Sequence, residues 1–115
     1  MSFKVTIRVG PRVTHERVPT LADAVDVLEL RLTALGPEVR RRTVRAFRRE
    51  VEPVAQVAAR GEISGPGRLA PRVQAGADVR GDGSIEVYRG KVRREVVELE
   101  RGEGEFDGLR RVLGA

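Results

Sequence analysis

Phe3, Val5, Ile7 and Val9 alternate with Lys4, Thr6 and Arg8. This period of two puts the apolar set on one face of a half-buried strand over residues 2 to 9. Gly10-Pro11 breaks the run, and residues 13 to 18 return as a more polar strand, completing a hairpin whose second strand reads as a sheet edge. The period then changes. Leu21, Ala24, Val25, Leu28, Leu32 and Leu35 recur at helical spacing, behind a capping-box-like Thr20 with Asp23 three residues later. Gly36-Pro37 predicts the end of that helix near residue 35. Asp23 and Asp26 in its opening turns suit the positive end of the helix dipole.

Residues 38 to 52 fit two patterns. Val44, Phe47 and Val51 make one face of a helix, whereas Thr43, Arg45, Phe47, Arg49 and Val51 make one side of a strand. A short second helix is the reading adopted, because proline is tolerated in a first turn and Glu38 suits the dipole there. Pro53 ends or bends either form. From Val54 the pattern returns to strand, with Ala55, Val57, Ala59 and Ile63 leading to a turn at Gly65-Pro66-Gly67. Val73, Ala75, Ala77 and Val79 alternate against Gln74, Asp78 and Arg80. Gly81-Asp82-Gly83-Ser84 then predicts a hairpin turn, since glycine supplies positive φ and aspartate tolerates it. Residues 85 to 88 resume the alternation, Gly90 reads as a bulge, and Val92, Val96, Val97 and Leu99 extend that strand or begin another. Over residues 106 to 113 a closing helix gathers Phe106, Leu109, Arg110 and Leu113 on one side.

This order predicts an α+β fold in one domain, residues 1 to 115: an antiparallel sheet of about five strands with one main helix across it, the second helix, and a short C-terminal helix. Composition agrees. A chain of 115 residues buries roughly two-thirds of its unfolded surface, enough for one modest core. Eighteen valines against nine leucines and three isoleucines favour sheet. The absence of cysteine excludes disulfides, a thiolate zinc site and a cysteine nucleophile. The N-terminal alternation is unlike a secretion signal, and no run approaches the ~20 apolar residues of a membrane span, so the expected setting is cytoplasmic.

Charge singles out one segment. Twenty arginines stand against two lysines, yet the net charge is only +5, and such a bias also arises from genome composition or surface ion pairing. Arg40, Arg41, Arg42, Arg45, Arg48 and Arg49 form the one pronounced cluster. On a helix, Arg41, Arg45 and Arg48 share a face, offering planar guanidinium groups to phosphates without reading sequence. The competing explanation is a solvated face that pairs with Asp23, Asp26 and Glu29 on a neighbouring antiparallel helix, each exposed pair contributing about 0.2 to 1 kcal/mol. With four scattered aromatic residues the chain lacks the stacking platform of single-strand binders, and a helix-turn-helix lacks its third helix.

His15 is the one general base near neutrality, with Glu16, Asp23 and Tyr88 as conceivable partners, but a strand sends His15 and Glu16 to opposite faces. No catalytic residue, metal ligand or cofactor is assigned. Asp78 and Asp82-Gly83 lack the rest of a calcium loop, and neither glycine-rich turn precedes a helix, as a phosphate loop requires. Val96-Val97 is an adjacent apolar pair, so one of the two lies off the core face unless something covers both faces. The chain therefore reads as a non-enzymatic binding or assembly module, a homodimer through sheet strands or a binder of an acidic protein partner. Sequence-nonspecific nucleic-acid binding through residues 40 to 49 is the alternative. No membrane partner is expected.

Overall fold

The computed structural model describes residues 2–46, 56–66, 73–90 and 93–115, with the backbone alone for residues 42–46, 73 and 74. Strand β1 (Phe3–Val9) and strand β2 (Arg12–Val18) form the expected hairpin. Their seven pairs run from Phe3 opposite Val18 to Val9 opposite Arg12 without a register shift. Gly10 takes φ 58° at the first position of the two-residue turn. Proline, fixed at negative φ, suits the second position of a type II′ turn and no position of type I′ that needs positive φ.

Helix α1 (Leu21–Ala46) begins where the sequence predicts, with Thr20 Oγ1 accepting from the Asp23 backbone N–H at 3.0 Å. It does not end at residue 35. The helix continues through Gly36 and Pro37 to Ala46, so the separate second helix is corrected to the C-terminal half of one helix, and residues 38–46 are helical rather than strand. Residues 47 to 52 lie outside the described residues. Proline within a helix removes one hydrogen bond and costs about 3 kcal/mol. Continuation offsets this by burying Val39, 4% exposed, which at about 1.5 to 3 kcal/mol for a full valine or leucine side chain is of the same size. Gly36 also packs closely against Gly83 in the Gly81-Asp82-Gly83-Ser84 turn.

Strand β3 (Val57–Ser64) pairs antiparallel with β1 on the side away from β2. Strands β4 (Val73–Arg80), β5 (Ile85–Arg89) and β6 (Glu95–Val96) follow as antiparallel neighbours. Among the described residues the sheet thus has six strands in the order β2-β1-β3-β4-β5-β6, and the last expected strand is a separate one. Gly90 is not a bulge within a strand: at φ 81° it follows the end of β5. Val54, Ala55, Gly67 and Val92 lie outside the described residues.

Helix α2 (Glu105–Leu113) closes the fold, capped at its C-terminus by Gly114 with φ 69°. It packs on the same sheet face as α1. Between the helices and the sheet lies one cluster: Ala24, Val25, Leu28, Leu32 and Val39 from α1, Val5 and Ile7 from β1, Ala59 and Ile63 from β3, Ala75, Ala77 and Val79 from β4, Val87 from β5, and Val97, Phe106 and Leu109. Alanine and glycine recur in the central strands because the helix comes close there; a Cβ on Gly61 would collide with Leu28 Cδ1. Val96 and Val97 divide as expected, Val97 buried and Val96 exposed. Among the described residues no helix is long and apolar enough to cross a membrane.

Candidate functional site

Because one sheet face carries both helices, the register assigns every other side chain to the opposite face. A cross-strand row runs there from His15 through Thr6, Glu62, Gly76 and Tyr88 to Val96. The next row holds Val13, Arg8, Arg60, Asp78 and Glu86. Asp78 is 5% exposed and accepts from Arg60 Nε at 2.7 Å and Nη2 at 3.5 Å. That bond, and then the charge of Asp78, hold the Arg60 guanidinium above its ordinary value against the opposing effect of burial. Tyr88, 2% exposed, lies across Gly76, where a Cβ would sit 2.5 Å from its hydroxyl. Its hydroxyl has no hydrogen-bond partner among the described residues, and Arg94 stands over the ring at 4.8 Å. Burial first, then the charge of Asp78, pushes the phenol up to about 12.

His15 is exposed and shares a hydrogen bond with Thr6, Nδ1 to Oγ1 at 3.1 Å. Glu16, on the other face as predicted, instead accepts from Arg31 of α1 at 2.9 Å. No carboxylate is hydrogen-bonded to His15 among the described residues, and Asp23 and Tyr88 belong to other parts of the fold. No group of three or more histidine, cysteine, aspartate or glutamate residues suited to a metal ion occurs among the described residues.

The arginine cluster is only partly in view. Arg40 and Arg41 are exposed on α1, Arg42 and Arg45 belong to the helix by their backbone, and Arg48 and Arg49 lie outside the described residues. Arg41 and Arg45 stand four positions apart along the helical backbone. The predicted pairing with Asp23, Asp26 and Glu29 across two antiparallel helices is corrected, because both groups lie along one helix, acids towards its N-terminus and arginines towards its C-terminus. That arrangement matches the helix dipole at both ends. Asp26 and Glu29 bond instead to Arg110 of α2, at 2.7 and 2.6 Å. Neither Arg40 nor Arg41 has an ion pair within 4 Å among the described residues. Beside them, a surface cleft of about 680 Å³ is bounded by Thr33, Pro37 and the turn residues Asp82 and Gly83. Asp82 is held below the usual carboxylate range by hydrogen bonds from the Ser84 side chain and backbone.

The third surface is the edge at β2. Among the described residues its outer side has no neighbouring strand, its residues are mostly exposed, and α1 covers its inner face only in part, meeting it at Glu16 and Val18. A groove of about 710 Å³ runs between strand and helix, lined by Arg12, Thr14 and Glu16 on one side and by Val27, Leu30 and Ala34 among others on the helix. Leu30 is 70% exposed. The opposite edge is different in kind, since β6 has only two residues and its Glu95 pairs with Arg89 at 2.8 Å. Short, charged edges resist further pairing, whereas a seven-residue edge without bulge or internal proline invites it. Sequence reasoning identified β2 as an edge but missed Leu30, whose place off the apolar stripe of α1 was the available signal. The chain matches no family model, no curated protein and no solved structure.

Proposed function

We propose that the protein is a non-enzymatic cytoplasmic binding or assembly module that associates with itself through strand β2, leaving the arginine-rich half of α1 available to an acidic partner. The observation that carries this reading is a seven-residue edge, unpaired among the described residues, beside an exposed leucine. Main-chain hydrogen bonds along such an edge supply affinity, and the side chains flanking it supply selectivity. Against an enzymatic role stands the surroundings of His15, which meets a threonine rather than a carboxylate.

Light scattering on a size-exclusion column, at low and high salt, tests the proposal. The expected mass is that of two chains, largely unchanged by salt because backbone pairing and apolar contact are weakly screened. A monomer at all concentrations would reject self-association. Exposed Arg40 and Arg41, without ion pairs among the described residues, favour a second reading as a nonspecific nucleic-acid binder. The same column run with mixed-sequence duplex or single strand tests it: binding should weaken with a logarithmic salt slope of about −0.9 per phosphate neutralised on duplex.

A further inference from the structure

From the β2 edge we infer that the second copy docks in one register, antiparallel about a two-fold axis through Thr14, and that Arg12 and Glu16 select it. This inference rests on the self-association proposed above and specifies its geometry. The turn hydrogen bond of a two-residue hairpin joins its closing pair, here Val9 and Arg12. Alternation then directs the main-chain groups of Arg12, Thr14, Glu16 and Val18 towards β1, and those of Val13, His15 and Arg17 outward. Two copies of β2 can therefore pair only in registers that set outward residues opposite outward residues.

Of those registers, one matches charge. Centred on Thr14, it sets Arg12 opposite the second copy's Glu16, and by symmetry Glu16 opposite the second copy's Arg12, all on the helix side of the sheet. Val13 meets His15 on the face away from the helices. Centred on His15, the pairing sets Arg12 against valine, Glu16 against threonine and Arg17 against valine. A centre at Glu16 opposes the two glutamates. Opposite charges directly across a strand pair are favourable and like charges unfavourable. The charged residues that would blunt an edge against a foreign strand thus become complementary against this strand itself. Arg12 has no ion pair among the described residues, while Glu16 already holds Arg31 at 2.9 Å, so the second copy's Arg12 completes a cluster on a carboxylate fixed in place. The same axis sets the two grooves side by side, each contributing its exposed Leu30.

The native chain has no cysteine, so single cysteines report the register without interference. Thr14 at the axis would be a non-hydrogen-bonded pair, with Cα atoms about 4.5 Å apart, within the range a disulfide spans. Thr14→Cys, oxidised mildly at a concentration where the native chain is dimeric, is expected to become a covalent dimer, faster than His15→Cys. Glu16→Arg should weaken the dimer about tenfold through like-charge opposition repeated by symmetry, and Arg12→Glu combined with Glu16→Arg should restore it. Crosslinking at His15→Cys but not Thr14→Cys, or no recovery in the double variant, overturns the register while leaving the dimer standing. A dimer by mass that crosslinks at neither position places the interface elsewhere and overturns the register together with the β2 reading. A monomer by mass overturns the same two claims and leaves the edge for an extended segment of a different protein.

Discussion

Tyr88 is the only tyrosine in a chain without tryptophan, so its ionisation can be followed directly by near-ultraviolet absorbance. Its hydroxyl is buried over Gly76 with no partner among the described residues, and the phenol is pushed from 10.0 up to about 12, first by burial and then by Asp78. The folded state therefore holds the phenolic proton more tightly than the unfolded chain. This contribution to stability is intact below pH 10 and is lost as pH rises towards 12. Phenolate absorbance should stay flat through pH 10 to 11 in the folded protein and rise at once on adding denaturant; an ordinary titration near 10 in the folded state would contradict the burial. Tyr88→Phe should leave stability at neutral pH unchanged or slightly raised, since removing a buried, unpaired hydroxyl removes its desolvation penalty, and urea unfolding measures this. None of it was legible beforehand. Alternation assigned Tyr88 to a strand, but its burial depends on Gly76, a residue twelve positions earlier that faces it only through the register.

Elements were more legible than their limits. The hairpin, the start of α1, the Gly81-Asp82-Gly83-Ser84 turn and α2 follow from local chemistry, and all of these form. The predicted stop at Gly36-Pro37 failed because two local breakers were weighed without the packing that opposes them. A Cβ on Gly83 would lie 2.9 Å from the Gly36 carbonyl oxygen, so this glycine pair allows helix and turn to touch. Val39 continued the apolar stripe four residues after Leu35, a signal present in the sequence. Helix α2 depends on a different kind of contact. Arg110 binds Asp26 and Glu29 of α1, and these bonds, from Glu29 first and Asp26 second, raise its pKa. Arg110→Ala is expected to destabilise the fold by about 1 kcal/mol, since partly exposed charge-assisted pairs contribute at that level. The loss should shrink in 1 M salt, where screening is strong. Denaturant unfolding at two salt concentrations checks both points, and a salt-independent loss would mean that packing of the arginine stem dominates.

At the scale of the whole molecule, the sheet joins one blunt end to one open end. β6 is too short to extend and β2 is not, so among the described residues strand addition has one site, and the proposed self-association would close after one two-fold pairing. A dimer of this kind makes thermal stability depend on concentration, because association draws the equilibrium towards the folded state. The unfolding midpoint should rise as protein concentration increases a hundredfold, and Glu16→Arg should flatten that dependence. The α+β class and the role of β2 as an edge could be read from the chain. The complementarity of Arg12 and Glu16 could not, because it exists only once the strand has a fixed register and an open side.

Strand order also has a consequence in time. β1 lies between β2 and β3, yet β3 begins at Val57, long after β1 ends at Val9. During synthesis at about 5 to 20 residues per second, roughly 2 to 10 s separate the two. From the completion of β2 at Val18 until α1 and β3 arrive, a nascent hairpin has two bare edges and an uncovered apolar face. On adjacent ribosomes, neighbouring chains at the same stage would meet through β1 as readily as through β2, so it is the arrival of β3 that confines any pairing between copies to the β2 edge.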